Sequence, residues 1–208
     1  MSGPRRSGGS WRDRQERDPY VKRARAEGWR SRAVYKLEQI DKKERLFRKG
    51  MMILDLGSAP GSWSQYATEK LDGDATIVAV DLLDMDALPC VDFVQGDFRE
   101  DDVLVALQSK LSDQQADLVM SDMAPNISGN RAVDQPRSMY LVELALDICS
   151  DVLKPGGNFV CKLFQGEGAD AFIALARQRF QRVKVVKPDA SRAGSREVYL
   201  VGLGYRGD

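Results

Sequence analysis

At 208 residues and 43% hydrophobic, the chain suits one globular domain with a sizeable core. It has no histidine, which excludes a Ser-His-Asp triad, a Cys-His pair and the commonest metal ligand, and leaves proton transfer to Lys, Asp, Glu or Tyr. Its 31 basic and 31 acidic residues cancel overall but not locally: the balance is plus nine over residues 1–50, minus fourteen over 51–176 and plus five over 177–197.

Basic segments flanking an acidic centre point to a surface that takes a polyanion beside the acidic part of the fold. A solvated basic tail and a charged helix face are the plainer alternative. No apolar run approaches the roughly 18 residues of a membrane span, and the first ten residues lack the apolar stretch of a signal peptide. A cytoplasmic protein without membrane contact is expected. Cys90, Cys149 and Cys161 are odd in number and far apart, so neither a disulfide framework nor a zinc site is indicated. They are expected to be reduced core residues, and no metal site is expected.

Residues 1–12, rich in Gly, Ser and Arg, are expected to be a disordered basic tail. A single domain over 13–208 follows, with residues 13–49 as a helical extension. Helices are predicted over Pro19–Glu27 and Ser31–Lys43; in the second, Ser31 serves as cap and Val34, Leu37 and Ile40 recur on one face. Lys36 lies off that apolar row and matters only if the helix covers a cleft. Strand and helix then alternate. Met51–Leu54 is a strand running into Asp55, Trp63–Leu71 a helix, and Ala75–Val80 a strand delivering Asp81. Val91–Gln95 precedes Asp97, Glu100–Leu111 is helical, and Asp117–Ser121 precedes Asp122. A loop then runs to a long helix from about Pro136 to Leu153, Lys154-Pro-Gly-Gly is a turn, and Asn158–Leu163 is a strand carrying Lys162. A helix over Ala169–Phe180 is followed by strands over Arg182–Lys187 and Glu197–Leu203. These last two can pair as a hairpin, placing one antiparallel strand in an otherwise parallel α/β sheet.

The sheet is organised around Met51–Trp63. An apolar run, an acidic end and a glycine turn, Gly57 to Gly61, mark a strand that breaks into a helix, and in open α/β sheets ligands bind at the carboxyl ends of such strands. Gly57-x-x-x-Gly61 is not the G-x-G-x-x-G dinucleotide fingerprint, so an adenosyl group without phosphates is a better fit than a pyrophosphate. Asp81, twenty-four positions after Gly57, is placed to accept hydrogen bonds from a ribose diol. Each strand-end carboxylate alone is more often a cap or turn residue; four of them beside a glycine turn favour a cofactor site.

Asp55-Leu-Gly-Ser-Ala-Pro-Gly-Ser-Trp-Ser-Gln, Ser121-Asp-Met-Ala-Pro-Asn, Cys161-Lys-Leu-Phe-Gln-Gly-Glu-Gly, Ser191-Arg-Ala-Gly-Ser-Arg-Glu-Val-Tyr and, upstream, Ser31-Arg-Ala-x-x-Lys-Leu together resemble the FtsJ family of ribosomal RNA ribose 2'-O-methyltransferases. The resemblance covers nearly the whole chain, with one departure at Ser62, where the family often carries a second glycine. It implies a Rossmann-like fold dependent on S-adenosylmethionine (SAM): a mostly parallel seven-stranded sheet, an antiparallel last strand and helices on both faces. It places the family's Lys-Asp-Lys-Glu tetrad on Lys36, Asp122, Lys162 and Glu197, and SAM-binding positions on Gly61, Trp63, Asp81, Asp97 and Asp122. The implied substrate is a uridine of large-subunit ribosomal RNA, presented on the assembled subunit, and the enzyme is expected to act as a monomer.

Methyl transfer to a 2'-hydroxyl needs in-line alignment and removal or polarisation of the hydroxyl proton. Lys162 is the candidate base. A lysine is basic near neutral pH only where burial or a second cation favours the neutral amine, and Lys36 supplies that cation. Asp122 would orient the Lys162 amine, and Glu197 would hold the lysines or the ribose. The rival reading keeps Lys162 charged and merely positioning. A nicotinamide oxidoreductase is disfavoured by the glycine spacing and the missing histidine. A transfer RNA or cap methyltransferase is disfavoured by the absence of a further RNA-binding domain, and an inactive RNA-binding assembly factor by the intact tetrad.

Overall fold

The computed structural model describes residues 16–111 and 114–207; the expected tail over residues 1–12 lies outside them. In chain order the elements are α1 (Pro19–Ala26), α2 (Val34–Glu44), β1 (Met51–Leu56), α3 (Ser62–Lys70), β2 (Ala75–Asp81), β3 (Val91–Gln95), α4 (Asp101–Leu111), β4 (Ala116–Ser121), α5 (Arg131–Val152), β5 (Leu153–Phe164), α6 (Ala169–Arg179), β6 (Phe180–Val186) and β7 (Glu197–Tyr205). The sheet order is β3-β2-β1-β4-β5-β7-β6. Strands β1 to β5 pair in parallel, and β7 runs antiparallel between β5 and β6.

The strands alternate between two cores. Met52, Leu54 and Leu56 of β1 pack with α4, α5 and α6, while Met51 and Ile53 pack with α1, α2 and α3. All six residues of β1 and of β4 are buried, which explains why these strands read as unbroken apolar runs: helices cover both faces of a parallel sheet. Val34, Leu37 and Ile40 of α2 are at most 1% exposed, and burying each contributes roughly 1.5–3 kcal/mol.

Several local expectations are corrected. Ser31 does not cap α2. Its hydroxyl accepts from the Ala33 amide at 3.2 Å and donates to Ser62 Oγ at 2.8 Å, forming a turn ahead of a helix that starts at Val34. The long helix begins at Arg131, so Pro136 lies inside it; Asn130 caps its start by accepting from the Ala132 amide at 3.1 Å, and a proline removes only one backbone bond. Lys154-Pro-Gly-Gly is not a turn between elements but a bulge within β5, where the β4 register jumps from Ala116↔Leu153 to Leu118↔Asn158. Cys149 and Cys161 are buried, and burial pushes both thiols up. Cys90 is exposed, on a turn residue with φ 61° before β3, and is not a core residue.

Candidate active site

At the carboxyl ends of β1, β2, β3 and β4 a cleft of about 540 Å3 is lined by Gly57, Asp81, Asp97, Asp122, Met123 and Tyr140 among others. The turn after β1 is tied to the end of β2: the Gly57 and Ser58 amides donate to the Val80 carbonyl at 2.9 and 3.1 Å, and the Ala59 amide donates to Asp81 Oδ2 at 2.8 Å. Gly57 has φ 70°, and a Cβ there would fall 2.3 Å from Met123 Cγ. The turn must therefore lie against the β4 loop, and only glycine permits it.

Asp81, Asp97 and Asp122 are the sequence-predicted cofactor residues that line the cleft. Asp81 accepts one backbone N–H on each oxygen, from Ala59 and from Leu83 at 2.8 Å, and keeps a lone pair on each for hydroxyl donors. Asp97 is paired with Arg99, whose guanidinium and amide hold its carboxyl below the usual value despite some burial. Gly61 and Trp63 do not line the cleft. Gly61 (φ 98°) begins α3, and a Cβ on it would meet Met85 Sδ at 2.7 Å and Arg30 Nη1 at 2.9 Å. Trp63 is 2% exposed and donates from Nε1 to the Ala33 carbonyl at 3.0 Å, fastening α3 to the segment before α2. Asp55 is buried under the turn and accepts from Ser64 Oγ at 2.7 Å.

The four tetrad residues meet beside Asp122. Period-two geometry puts Lys162 on the same face as Val160, directly opposite Tyr199 across the β5–β7 pair, with Glu197 two residues along on the same face. That face is the one covered by α1 to α3. Lys36, one helical turn before buried Ile40, reaches it from α2. Lys36 Nζ lies 2.7 Å from Glu197 Oε1. Lys162, 8% exposed, donates to the Asp122 carbonyl at 2.7 Å and stands 3.0 Å from Asp122 Oδ1.

Two members of this network carried no assigned role in the sequence reading. The Tyr199 hydroxyl donates to Asp122 Oδ1 at 2.7 Å and lies 3.4 Å from Glu197 Oε1, and Ser191 Oγ donates to Glu197 Oε1 at 2.9 Å. The signal for Tyr199 is positional: it stands two residues from Glu197 on one strand. Burial alone would push the Asp122 carboxyl up, but the charges of Lys162 and Lys36 and the hydrogen bonds from Tyr199 and Lys162 outweigh it and hold it low. Burial, with the charges of Asp122 and Glu197, pushes the Tyr199 phenol far up, so it stays a neutral donor. The site thus brings two lysine amines and two carboxyl groups together, with a fixed phenol between them.

The doubly wound sheet, with a cleft at its strand ends and a lysine-carboxylate network at the rim, places the chain in the Rossmann-like class of folds, which bind nucleoside cofactors at that edge. Residues 29–205 match the FtsJ-like methyltransferase family. The chain is 51% identical over 197 residues to a Pseudomonas fluorescens (strain Pf0-1) protein named ribosomal RNA large subunit methyltransferase E, covering 95% of this chain and 94% of that one. It is 54% identical over 195 residues to the protein of the same name from Legionella pneumophila (strain Corby), covering 94% and 95%. The crystal structure of a putative ribosomal RNA methyltransferase from Plasmodium falciparum superposes with a TM-score of 0.78 at 31% identity, over 86% of this chain and all of that one. The chain belongs to the FtsJ-like methyltransferase family.

Proposed function

We propose that the chain methylates the ribose 2'-hydroxyl of a uridine in large-subunit ribosomal RNA, with SAM as donor and the assembled subunit as the form of the substrate. The observation that carries this reading is the Lys36–Glu197–Tyr199–Asp122–Lys162 network at the rim of the acidic cleft. Asp81, with a lone pair free on each oxygen, suits a ribose diol, and Asp122 at the rim suits the cationic sulfonium end of SAM. Asp81 would hold the ribose hydroxyls, Asp97 the base and Asp122 the sulfonium end, and SAM supplies an electrophilic methyl group when bound there. Gly61 and Trp63 serve the cofactor indirectly, by setting the turn and the start of α3.

Lys162 is the group that takes the hydroxyl proton. A neutral amine has two N–H groups and one lone pair; both N–H groups are accounted for by the carbonyl and carboxylate of Asp122, which leaves the lone pair for the hydroxyl. Asp122 is held ionised and therefore orients this amine rather than protonating it. Lys36 adds a second cation and is itself held by Glu197. Every tetrad residue comes from one chain, so a monomer suffices. No helix among the described residues is long and apolar enough to cross a membrane, in keeping with action on ribosomes in the cytoplasm.

The test is to incubate the protein with methyl-labelled SAM and either intact large subunits or protein-free RNA, and to map the label. A single 2'-O-methyluridine in the large-subunit RNA is expected, formed more efficiently on subunits. Label on a base, or on no ribosomal RNA at all, would overturn the reading.

A further inference from the structure

Asp81 and Asp97 stand at neighbouring strand ends in one cleft, yet they are not equally open to a ligand. The geometry points to Arg99 as a gate on the base end of the cofactor site: its guanidinium holds the acceptor that the adenine amine needs, and the cofactor seats its base by displacing that guanidinium. This rests on the SAM reading of the cleft and deepens it, by naming a residue that sets cofactor affinity and the choice of base.

Acceptor capacity separates the two carboxylates. A carboxylate offers about four lone-pair sites. Asp81 gives one on each oxygen to the Ala59 and Leu83 amides and keeps the others for a ribose diol. Asp97 is filled by a single residue. Its Oδ1 accepts from the Arg99 amide at 3.0 Å and from Arg99 Nε at 2.8 Å, while its Oδ2 shares the same Nε hydrogen at 2.9 Å and accepts from Nη2. An exocyclic adenine amine is itself a donor, so it can reach Asp97 only by replacing one of these contacts. The backbone amide is fixed by the chain, and Phe98 between the two residues packs against the core. The guanidinium is the part that can yield.

Two features make that exchange small in cost. The Arg99 side chain is 50% exposed, and an ion pair so open to water contributes little. A second seat also lies beside the first: the guanidinium carbon is 5.9 Å from the centroid of the Tyr140 ring and Nη1 is 3.5 Å from its hydroxyl. Tyr140 lines the same cleft from α5, so a released guanidinium stays at the wall over an aromatic face that attracts it. The exchange also discriminates between bases. A 6-amino purine offers Asp97 an N–H in place of the guanidinium, whereas a 6-oxo purine turns an oxygen to the same position, which Asp97 repels and Arg99 attracts.

The test is calorimetric titration of the full chain with S-adenosylhomocysteine and with its 6-oxo counterpart, S-inosylhomocysteine. Arg99→Ala should bind S-adenosylhomocysteine about two- to fivefold more tightly than the parent, the range that release from an exposed ion pair allows, and S-inosylhomocysteine no more tightly. Arg99→Lys, whose single ammonium fills fewer acceptor sites, should fall between parent and alanine. In an Asp97→Ala background, Arg99→Ala should leave S-adenosylhomocysteine affinity where it is. Unchanged or weaker binding of S-adenosylhomocysteine by Arg99→Ala overturns the proposal, because Arg99 would then be neutral or a contact. Equal tightening for both bases overturns it too, as does a gain that persists without Asp97. A parent that binds neither compound would fail the SAM reading itself, separately.

Discussion

Lys162 is the residue on which the mechanism turns, and two substitutions separate its possible roles. Lys162→Ala should keep SAM affinity and most RNA affinity yet lose roughly a hundredfold or more in single-turnover rate, the range for a missing acid or base group. Lys162→Arg keeps the charge and can still bond Asp122, but a guanidinium does not give up its proton. It should be nearly as inactive as alanine; turnover within about tenfold of the parent would show that a fixed positive charge is enough. Asp81→Ala removes the acceptor of the Ala59 and Leu83 amides as well as the proposed ribose contact. SAM binding should weaken by about 1.5–3 kcal/mol, roughly ten- to hundredfold, and a change below threefold would make Asp81 a turn residue only. A third residue acts through protonation. Burial raises the Asp55 carboxyl, the charges of Asp122 and Asp81 add to this against the Ser64 hydrogen bond, and the result is about 7. An acid raised in the folded state favours the fold while protonated, so this contribution is complete below about pH 4 and is lost as pH rises through about 7. Asp55→Asn keeps an acceptor for Ser64 and removes the titration. The stability difference between Asn and Asp should therefore grow in favour of Asn by up to roughly 3–4 kcal/mol between pH 4 and 8. A flat difference in denaturation midpoint across that range would show that Asp55 titrates normally.

At the scale of elements, strands proved more legible than the segments that join them. β1, β2 and β4 are covered on both faces, so burial writes itself into the sequence as an apolar run with an acidic end, and their order along the chain follows from that alone. The segments that differ are governed by contacts distant in sequence. The start of α5 is fixed by Asn130 and by Asp134, whose carboxylate accepts from the Ser128 and Gly129 amides at 2.9 and 3.0 Å; a rule about prolines has no access to those bonds. The β5 bulge is a matter of register against β4, which no local pattern encodes. The tetrad shows the same division. Its residue types could be placed by resemblance, and the spacing from Glu197 puts Tyr199 on the same face, but its bond to Asp122 rests on the pairing of β5 with β7, in which Lys162 and Tyr199 stand opposite. Tyr199→Phe tests that pairing. It removes the hydroxyl from Asp122 while keeping the ring against Trp63, whose centroid is 5.8 Å away. The fold should lose about 1–3 kcal/mol, the cost of a hydrogen-bonded charge losing its donor in a buried setting. Turnover should fall with RNA and SAM affinity little changed, and parental turnover would limit the phenol to a structural part.

At the scale of the molecule, the excess of basic residues before β1 divides into two populations with different work. Charge balance alone does not separate Arg23, Arg25, Arg30 and Arg32, but the structure gives three of them protein partners. Arg32 is tied to Asp18 and the Ala190 carbonyl. Arg23 pairs with Glu27 at 2.7 Å and stacks 4.4 Å over the Tyr35 ring. Arg30 donates to the carbonyls of Pro60 at 3.0 Å, Asp86 at 2.7 Å and Ala87 at 2.9 Å, clamping the glycine turn to the loop after β2. Lys22 and Arg25 are exposed on α1 and carry charge that a polyanion can use. Two variants should therefore fail in opposite ways. Lys22→Ala/Arg25→Ala should leave SAM affinity and thermal stability unchanged while weakening RNA binding and reducing the salt slope by about 1.4–1.8, since each neutralised phosphate accounts for about 0.7–0.9. Arg30→Ala removes a charged donor from three carbonyls, which costs about 1.5–3 kcal/mol for each well-made bond of that kind before solvent replaces part of it. Because Pro60 follows the cleft residue Ala59 in the glycine turn, the loss should appear as a lower denaturation midpoint and weaker SAM binding, with the salt slope for RNA at the parental value. A flattened slope in Arg30→Ala with undiminished SAM binding would mean that charge before β1 acts as one undivided field, and that the clamp on the glycine turn does not set the cofactor site.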